Sequence, residues 1–177
     1  MVNQMIDDIV LLGLIKFSLK KLYEKDLFLI DNDAQEQCIV SKFSRYFENE
    51  LESYKKHNNI KLNIDVDLEY NRNILSEEKY KSIIDGVKIR IRPDLILHER
   101  GTNNNNILAI EFKKQWKNSK KYKKGRDGDK RKLCALTDKK LDYKYQLGVF
   151  IDLAKSINEV VIETYENGIK TKRYSIE

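Results

Sequence analysis

Proline and glycine are scarce in this chain of 177 residues, which contains one proline and seven glycines. No Pro/Gly-rich linker separates domains, and the length suits one domain, residues 1–177, with its own core. The two cysteines and the two histidines lie far apart in sequence and form no metal-binding pattern, which argues against a zinc site. Isolated cysteines are also typical of a reducing cytoplasm.

Long apolar runs are missing as well. The stretch Ile9–Ile15 is the clearest apolar run near the start, and it is far shorter than the ~20 residues that cross a bilayer. Asp7 and Asp8 precede this run, whereas a signal peptide begins with basic residues. We therefore expect a cytoplasmic protein with no membrane partner.

Positive charge is concentrated in residues 113–132. The net charge of the chain is +6, and this segment holds eleven Lys/Arg and two acids, so it carries +9 and the rest carries −3. Such a patch favours a polyanion, most simply nucleic acid. Gly125 and Gly128 predict a basic loop that is ordered on a phosphate backbone, although a solvated mobile loop explains any single lysine. The side chains expected to bind nucleic acid are Lys114, Lys117, Lys120, Lys121, Lys123, Lys124, Arg126, Lys130 and Lys132.

Aromatic residues interrupt this basic segment at Trp116 and Tyr122. Each of these side chains either stacks on bases or anchors the segment to the core.

Two apolar strands carry ionised groups where an ordinary core strand would not. Val87–His98 contains Asp94, and Ile107–Lys113 contains Glu111 and Lys113 at period two, on one face. A polar turn joins the strands, and a hairpin folded between residues 102 and 103 pairs residues whose numbers sum to 205. That register places Asp94 opposite Glu111.

Neighbouring carboxylates repel each other and raise one pKa unless a cation lies between them. Oxygen ligands suit magnesium or manganese. A lysine beside such a metal can orient a water molecule or stabilise the charge that develops on a phosphoryl group. Asp94, Glu111 and Lys113 are therefore the candidate catalytic residues.

A third acid, Glu36, begins the apolar stripe of a helix predicted over residues 33–57. The stripe consists of Ile39, Phe43, Phe47, Leu51 and Tyr54. Glu36 either points into an active site or completes a capping box with Asp33 as N-cap. The residues alone leave these two interpretations open.

The remaining patterns predict an α/β (α+β) fold. A helix is expected over residues 4–24, a strand over 62–70, a helix over 76–84, a helix over 130–137, a strand over 143–153, and a hairpin over 159–176 around Glu166-Asn167-Gly168. Glu69 and Gln146 are further polar candidates for the site. A solvated strand face and a strand end are their simpler explanations.

Pro93-Asp94 followed by Glu111-Phe112-Lys113 resembles the motif of the PD-(D/E)XK nuclease superfamily. Stretches such as residues 69–72 and 145–148 are similar to a group of small microbial and phage members. The resemblance implies a restriction-endonuclease-like core, αβββαβ with a mixed central sheet, over about residues 33–153. An extra N-terminal helix and a C-terminal β-hairpin lie outside that core.

The resemblance also implies roles for individual residues. Asp94, Glu111 and the backbone carbonyl of Phe112 would hold Mg²⁺, or Mn²⁺ in its place, and Lys113 would position the attacking water. Glu36 would bind the metal directly or through water.

The expected activity is metal-dependent endonucleolytic cleavage of nucleic acid, with DNA favoured. Cutting both strands of a duplex needs two sites, which favours a homodimer. Two alternatives are an inactive nuclease-fold module that binds nucleic acid, and a basic scaffold that binds an acidic protein. The intact set of Asp94, Glu111 and Lys113 argues against an inactive site.

Overall fold

The computed structural model describes residues 6–70, 81–84, 87–90, 92–117 and 119–176. These residues form an α+β structure that divides into two compact units, one ending at Asn63 and the other beginning at Ile64. The expectation of a single domain stays a prediction. Among the described residues, no helix is both long and apolar enough to cross a membrane.

The first unit is helical. Helix α1 spans Asp8–Lys25, the short helix α2 spans Leu27–Asp31, and helix α3 spans Glu36–His57. Asp7 caps α1, because its carboxylate accepts a hydrogen bond from the backbone N–H of Ile9 at 2.7 Å. Helices α1 and α3 pack against each other. The first helix, predicted over residues 4–24, is confirmed from Asp8 onward, whereas Ile6 and Asp7 precede it.

The apolar stripe of α3 is buried as predicted. Its first four members have at most 1% of their surface exposed, and Tyr54 is half-buried. The rings of Phe43 and Phe47 stack with their centroids 5.9 Å apart. Burying this stripe stabilises the helix far more than its intrinsic propensity does.

The predicted capping box at the start of α3 is wrong. Asp33 has a positive φ of 53° and lies outside the helix, whose N-cap is Gln35. Glu36 is therefore the first helical residue and not the third, so its carboxylate does not occupy the capping-box position.

The second unit is built on a mixed sheet. Its described strands are β1 (Asp65–Leu68), β4 (Leu95–His98), β5 (Asn106–Lys114), β6 (Leu147–Leu153), β7 (Val161–Glu166) and β8 (Ile169–Ser175), which lie side by side in that order. Strands β5 and β6 are parallel and the other neighbours are antiparallel. A separate antiparallel pair consists of β2 (Lys81–Ile84) and β3 (Val87–Arg90).

Helix α4, Lys120–Thr137, connects the two parallel strands and packs against β5 and β6. A parallel pair requires such a crossover. The central strand β5 is buried on both faces, with Leu108, Ala109 and Ile110 fully covered. This explains why its sequence is almost continuously apolar.

Several predicted boundaries are wrong. The strand predicted over residues 87–98 is divided into β3 and β4, with Pro93 in the interval. Proline has no N–H to donate to a sheet ladder, so it interrupts the strand. The strands predicted over 62–70 and 143–153 are shorter than expected, as the bounds of β1 and β6 show.

The helix predicted over residues 76–84 is also wrong at its described end, because residues 81–84 form strand β2. Residues 76–80 of that prediction lie outside the described residues. Residues 71 and 72, which belong to the stretch 69–72 that carries the family resemblance, also lie outside them, as do residues 4 and 5 of the first predicted helix.

The basic loop predicted over residues 113–132 is wrong as well. Lys113 and Lys114 end β5, and from Lys120 onward the segment is helix α4. Ser119 begins the helix by accepting a hydrogen bond from the backbone N–H of Tyr122. Gly125 and Gly128 each cost about 1 kcal/mol of helix propensity relative to alanine. Burial of Leu133 and Leu136 at the other end of the helix offsets that cost.

The C-terminal hairpin is confirmed. Asn167 and Gly168 connect β7 to β8 with φ angles of 54° and 84°. Two consecutive positive φ angles are the signature of the type I′ turn that Asn-Gly favours.

The acids of β1 are not simply solvated. Asp67 accepts hydrogen bonds from Arg100 and lies 2.9 Å from Nε2 of His98, which is buried. The hydrogen bonds from Arg100 lower the pKa of Asp67, against the opposing effect of burial. His98 therefore has a structural role.

Candidate active site

The predicted hairpin register brings the first two site residues together. Leu95 pairs with Ile110, and the next two pairs of β4 and β5 also sum to 205. Asp94 lies one residue before β4, and its Oδ2 accepts a hydrogen bond from the backbone N–H of Phe112 at 2.8 Å. Asp94 thus lies beside the Glu111-Phe112 segment, as predicted.

Glu111 is a buried carboxylate, with 1% of its surface exposed. Burial raises its pKa well above the ordinary value, and the nearby carboxylates of Asp94 and Asp129 raise it further. Lys132 and Lys113 act in the opposite direction but do not cancel the shift. Another positive charge near Glu111 would favour its ionised form.

Lys113 is held by two acceptors at the end of β5. Its Nζ donates to the carbonyl oxygen of Phe112 at 2.9 Å and lies 2.9 Å from Oδ2 of Asp129. The side chain is 15% exposed, so its position is defined by these contacts and by packing. The carbonyl of Phe112, expected from the resemblance to bind metal, accepts this hydrogen bond from Lys113.

Helix α4 contributes a third acid, Asp129, and a second lysine, Lys132, to the site. Oδ1 of Asp129 lies 2.5 Å from Nζ of Lys132, and that ammonium is 3.4 Å from Oε1 of Glu111. Burial would lower the pKa of Lys132, but Glu111 and Asp129 outweigh it and raise that pKa. Asp129 therefore bridges Lys113 and Lys132, one with each carboxylate oxygen.

Sequence reasoning missed the role of Asp129, and it assigned Lys132 to the nucleic-acid surface. The signal was their spacing of three residues, which places them on one face of a helix. That signal was hidden because the two glycines of the segment favoured a loop.

These groups line an open cavity of about 360 Å³. Its lining residues are Glu69, Arg92, Asp94, Glu111, Lys113, Asp129 and Lys132. With Glu111 ionised, these residues carry four negative and three positive charges. Glu69 lies at the rim with a positive φ of 47°, and its carboxylate is 3.4 Å from the guanidinium of Arg92.

The donor set fits a hard divalent cation. Asp94, Glu111 and the carbonyl of Phe112 offer oxygen atoms, which magnesium and manganese prefer. A cation between the carboxylates would also reverse the raised pKa of Glu111. Within the described part of the chain, however, no cluster of three or more His, Cys, Asp or Glu side chains is arranged to hold a metal ion.

The remaining predicted site residues have different outcomes. Glu36 belongs to the helical unit, and its place at the site stays a prediction. Gln146 lies at the start of β6, where its backbone N–H donates to the carbonyl oxygen of Asn106. Asn106 precedes Glu111 by five residues, or about 16 Å along a strand, so Gln146 is distant from Glu111.

Four of the basic side chains assigned to nucleic acid have internal partners. Lys132 is in the site, and Lys114 is 5% exposed. Arg126 forms an ion pair with Asp152 and donates to the carbonyl oxygen of Lys114. Lys130 lies 2.7 Å from a carboxylate oxygen of Glu163.

A smaller basic surface remains on the first turns of α4. It consists of Lys120, Lys121, Lys123 and Lys124, which are exposed. Among the residues that the structure describes, none of these four has an ion-pair partner. The ring of Trp116, in the turn before α4, contacts the ammonium groups of Lys114 and Lys155, which lie 5.7 and 4.6 Å from its centroid. These contacts favour the anchoring role for Trp116.

No protein-family model, curated protein or solved structure matches this chain. The chemistry of the site is therefore inferred from its own residues and their geometry.

Proposed function

We propose that this protein is a metal-dependent endonuclease that hydrolyses phosphodiester bonds of nucleic acid, with DNA as the favoured substrate. The observation that carries the proposal is the buried carboxylate Glu111, which lies near Asp94 and Asp129 in an open cavity together with Lys113. Lys113 and Lys132 compensate these carboxylates only in part, because the pKa of Glu111 remains raised, and perturbed carboxylates in a cavity are typical of functional sites.

The connectivity of the second unit supports a restriction-endonuclease-like core. Strands β1, β4 and β5 form an antiparallel meander, α4 crosses over, and β6 returns parallel to β5. In chain order α3 precedes this unit, and the strands of the six-stranded sheet follow the expected αβββαβ order up to β6, with the separate pair β2 and β3 inserted between β1 and β4. Metal-binding residues in such a sheet would lie where Asp94 and Glu111 lie, at the end of β5 that leads into the crossover.

The oxygen donors of Asp94, Glu111 and the Phe112 carbonyl would hold Mg²⁺, with Mn²⁺ as a substitute and Glu36 as a candidate further ligand. When bound, the metal would neutralise phosphate charge and favour deprotonation of a coordinated water. Lys132 would stabilise the ionised form of Glu111, because its ammonium lies 3.4 Å away.

Lys113 would orient the attacking water or stabilise the negative charge that develops on the phosphoryl oxygens. Asp129 would act through Lys113, since it holds the ammonium beside the cavity. Asp129 is thus a positioning residue in this proposal. The exposed lysines of α4 would bind the phosphate backbone, where each contact adds to a salt-dependent affinity.

The proposal is tested with plasmid DNA, single-stranded DNA and RNA, each incubated with Mg²⁺, Mn²⁺ or EDTA. The variants are Glu111→Gln and Lys113→Met, with Lys139→Met as a control for the loss of an exposed lysine outside the cavity and outside the basic surface. We expect the wild type and the control to cut only with metal. We expect each site variant to lose activity on the order of 10² to 10⁴-fold.

Other outcomes would identify other functions. Binding without cleavage by the wild type would indicate an inactive nuclease-fold module. No binding to any nucleic acid would favour a basic scaffold for an acidic protein. Metal-dependent cutting that both site variants retain would contradict the assigned site. A sedimentation measurement tests the expected homodimer.

A further inference from the structure

A second cavity lies beside the candidate active site, and the two share one residue. It has a volume of about 290 Å³ and is lined by Lys113, Lys121, Tyr122 and Gly125. Lys113 also lines the carboxylate cavity, so the two cavities meet at its side chain. The volume is near the lower end of the ~300–1,000 Å³ that is typical of small-molecule sites.

The lining residues suit a flat aromatic ligand. Tyr122 is 38% exposed, and its ring is the large apolar surface of the cavity. Gly125 follows it by three residues, so the two lie on one face of α4. A Cβ built at Gly125 meets no atom within 4 Å, so the cavity is open above the helix backbone at this position.

The charges around the cavity indicate an anionic ligand. Lys113 and Lys121 contribute to a mostly apolar lining, and the other exposed lysines of α4 lie within one turn, so positive charge surrounds the cavity. An aromatic platform among lysines is how proteins bind single-stranded nucleic acid, where bases stack on the ring and cations follow the backbone. A neutral apolar ligand would gain nothing from these charges.

We propose that this cavity binds an unpaired nucleobase next to the phosphodiester that is cut, with the base stacked on Tyr122. The proposal rests on the proposed function, because it places the adjoining phosphate at Lys113. A base within a duplex is stacked and paired, and must leave the helix before it can enter such a cavity. The preferred substrate is therefore nucleic acid that is single-stranded at the cleavage point.

The first test measures base binding without cleavage. A single-stranded DNA oligonucleotide with one central 2-aminopurine is titrated with the protein in EDTA, and its fluorescence is recorded. Stacking on Tyr122 should quench the fluorescence. Tyr122→Ala removes the platform, and Gly125→Leu fills the cavity with a side chain that α4 accommodates. Both variants should bind the probe about 5- to 150-fold more weakly.

Gly128→Leu is the matched control. It makes the same substitution one turn further along α4, at a residue that does not line the cavity and where a Cβ also meets no atom within 4 Å. Tyr122→Phe keeps the ring. Both control variants should quench like the wild type. Circular dichroism of all four variants checks that the helix is retained.

The second test measures cleavage with Mg²⁺ on matched single-stranded and fully paired DNA. The wild type should cut the single strand faster, and Tyr122→Ala and Gly125→Leu should lose most of that preference. Equal quenching and equal cleavage by the wild type and these two variants would overturn the base site but leave the nuclease intact. Quenching that depends on Tyr122 in a protein that cuts nothing would support the base site and contradict the nuclease.

Discussion

Asp129→Asn is the substitution that most sharply tests how the site is organised. Asp129 is 6% exposed and holds two lysines, with Lys113 at 2.9 Å and Lys132 at 2.5 Å. Asparagine has nearly the same shape but no charge, and one of its two terminal groups is a donor. One lysine would therefore lose its acceptor and face an amide N–H₂.

The size of the effect follows from the hydrogen bond that is lost. A hydrogen bond to a charged group contributes about 1.5–3 kcal/mol. If the loss falls on Lys113 in the transition state, the rate constant should decrease about 10- to 150-fold, at 1.36 kcal/mol per factor of ten. The decrease should appear in the maximal single-turnover rate and not in the half-saturating concentration, because Asp129 acts on the reaction through Lys113.

The assay is single-turnover cleavage of single-stranded DNA with Mg²⁺. Asp127→Asn is the matched control, since Asp127 is exposed two residues earlier on the same helix and should tolerate the change. In a Lys113→Met background, Asp129→Asn should have little further effect, because residues that act as a unit are not additive. A folded Asp129→Asn protein with the wild-type rate, or additive losses in the double variant, would refute the reasoning.

Three further predictions concern stability. Burial would raise the pKa of Glu163, but hydrogen bonds from two lysines outweigh it and lower that pKa from 4.5 to about 2. The stabilisation is therefore present above pH 4.5 and is lost as the pH falls toward 2, so Glu163→Gln should cost up to about 3 kcal/mol at pH 7. Urea unfolding should show that the difference in the free energy of unfolding between the wild type and the variant shrinks across this pH range. A difference that stays constant would contradict the prediction. Gly168→Ala should lower the thermal midpoint, at a cost of about 1–2 kcal/mol, because φ is +84° and the new Cβ would lie 3.3 Å from Cβ of Asp138. Gly128→Ala should add about 0.5–1 kcal/mol to the free energy of unfolding, since it lies within α4 with open space around it; a loss of stability in urea would contradict this.

The carboxylate hairpin was predictable because its information is local. The alternation of apolar residues defines which faces are buried, and the polar turn sets the register, so Leu95 pairs with Ile110 as expected. The register shifts between Leu97 and His98. The turn therefore differs from the expected one, while the strand pairs that lie closer to the site keep the expected register. The Asn-Gly turn of the final hairpin is similarly local.

The contribution of α4 was not predictable in this way. Its helical state depends on burial of Leu133 and Leu136 against strands that are distant in sequence, and this outweighs two glycines. Asp129 enters the site only because the crossover places α4 against β5. The charge count of residues 113–132 includes Asp129 only as one of two acids in a basic segment, whereas one of its two lysine partners, Lys113, lies on β5.

The positive charge of residues 113–132 is evident from the sequence, but the ion-pair partners of the individual side chains are not. Arg126 and Lys130 neutralise Asp152 and Glu163 on neighbouring strands. Those pairings depend on the parallel placement of β6 and on β7 beside it, which sequence periodicity does not reveal. The exposed lysines near the start of α4 are the remaining candidates for a nucleic-acid surface.

The most direct test of the central claim is the Mg²⁺ dependence of single-turnover DNA cleavage by the wild type and by Glu111→Gln. We expect a wild-type rate that saturates with Mg²⁺ and vanishes in EDTA. We expect the variant to fold and to be slower on the order of 10²-fold or more at every Mg²⁺ concentration. Equal rates for the two proteins, or a wild-type rate unchanged by EDTA, would contradict the central claim.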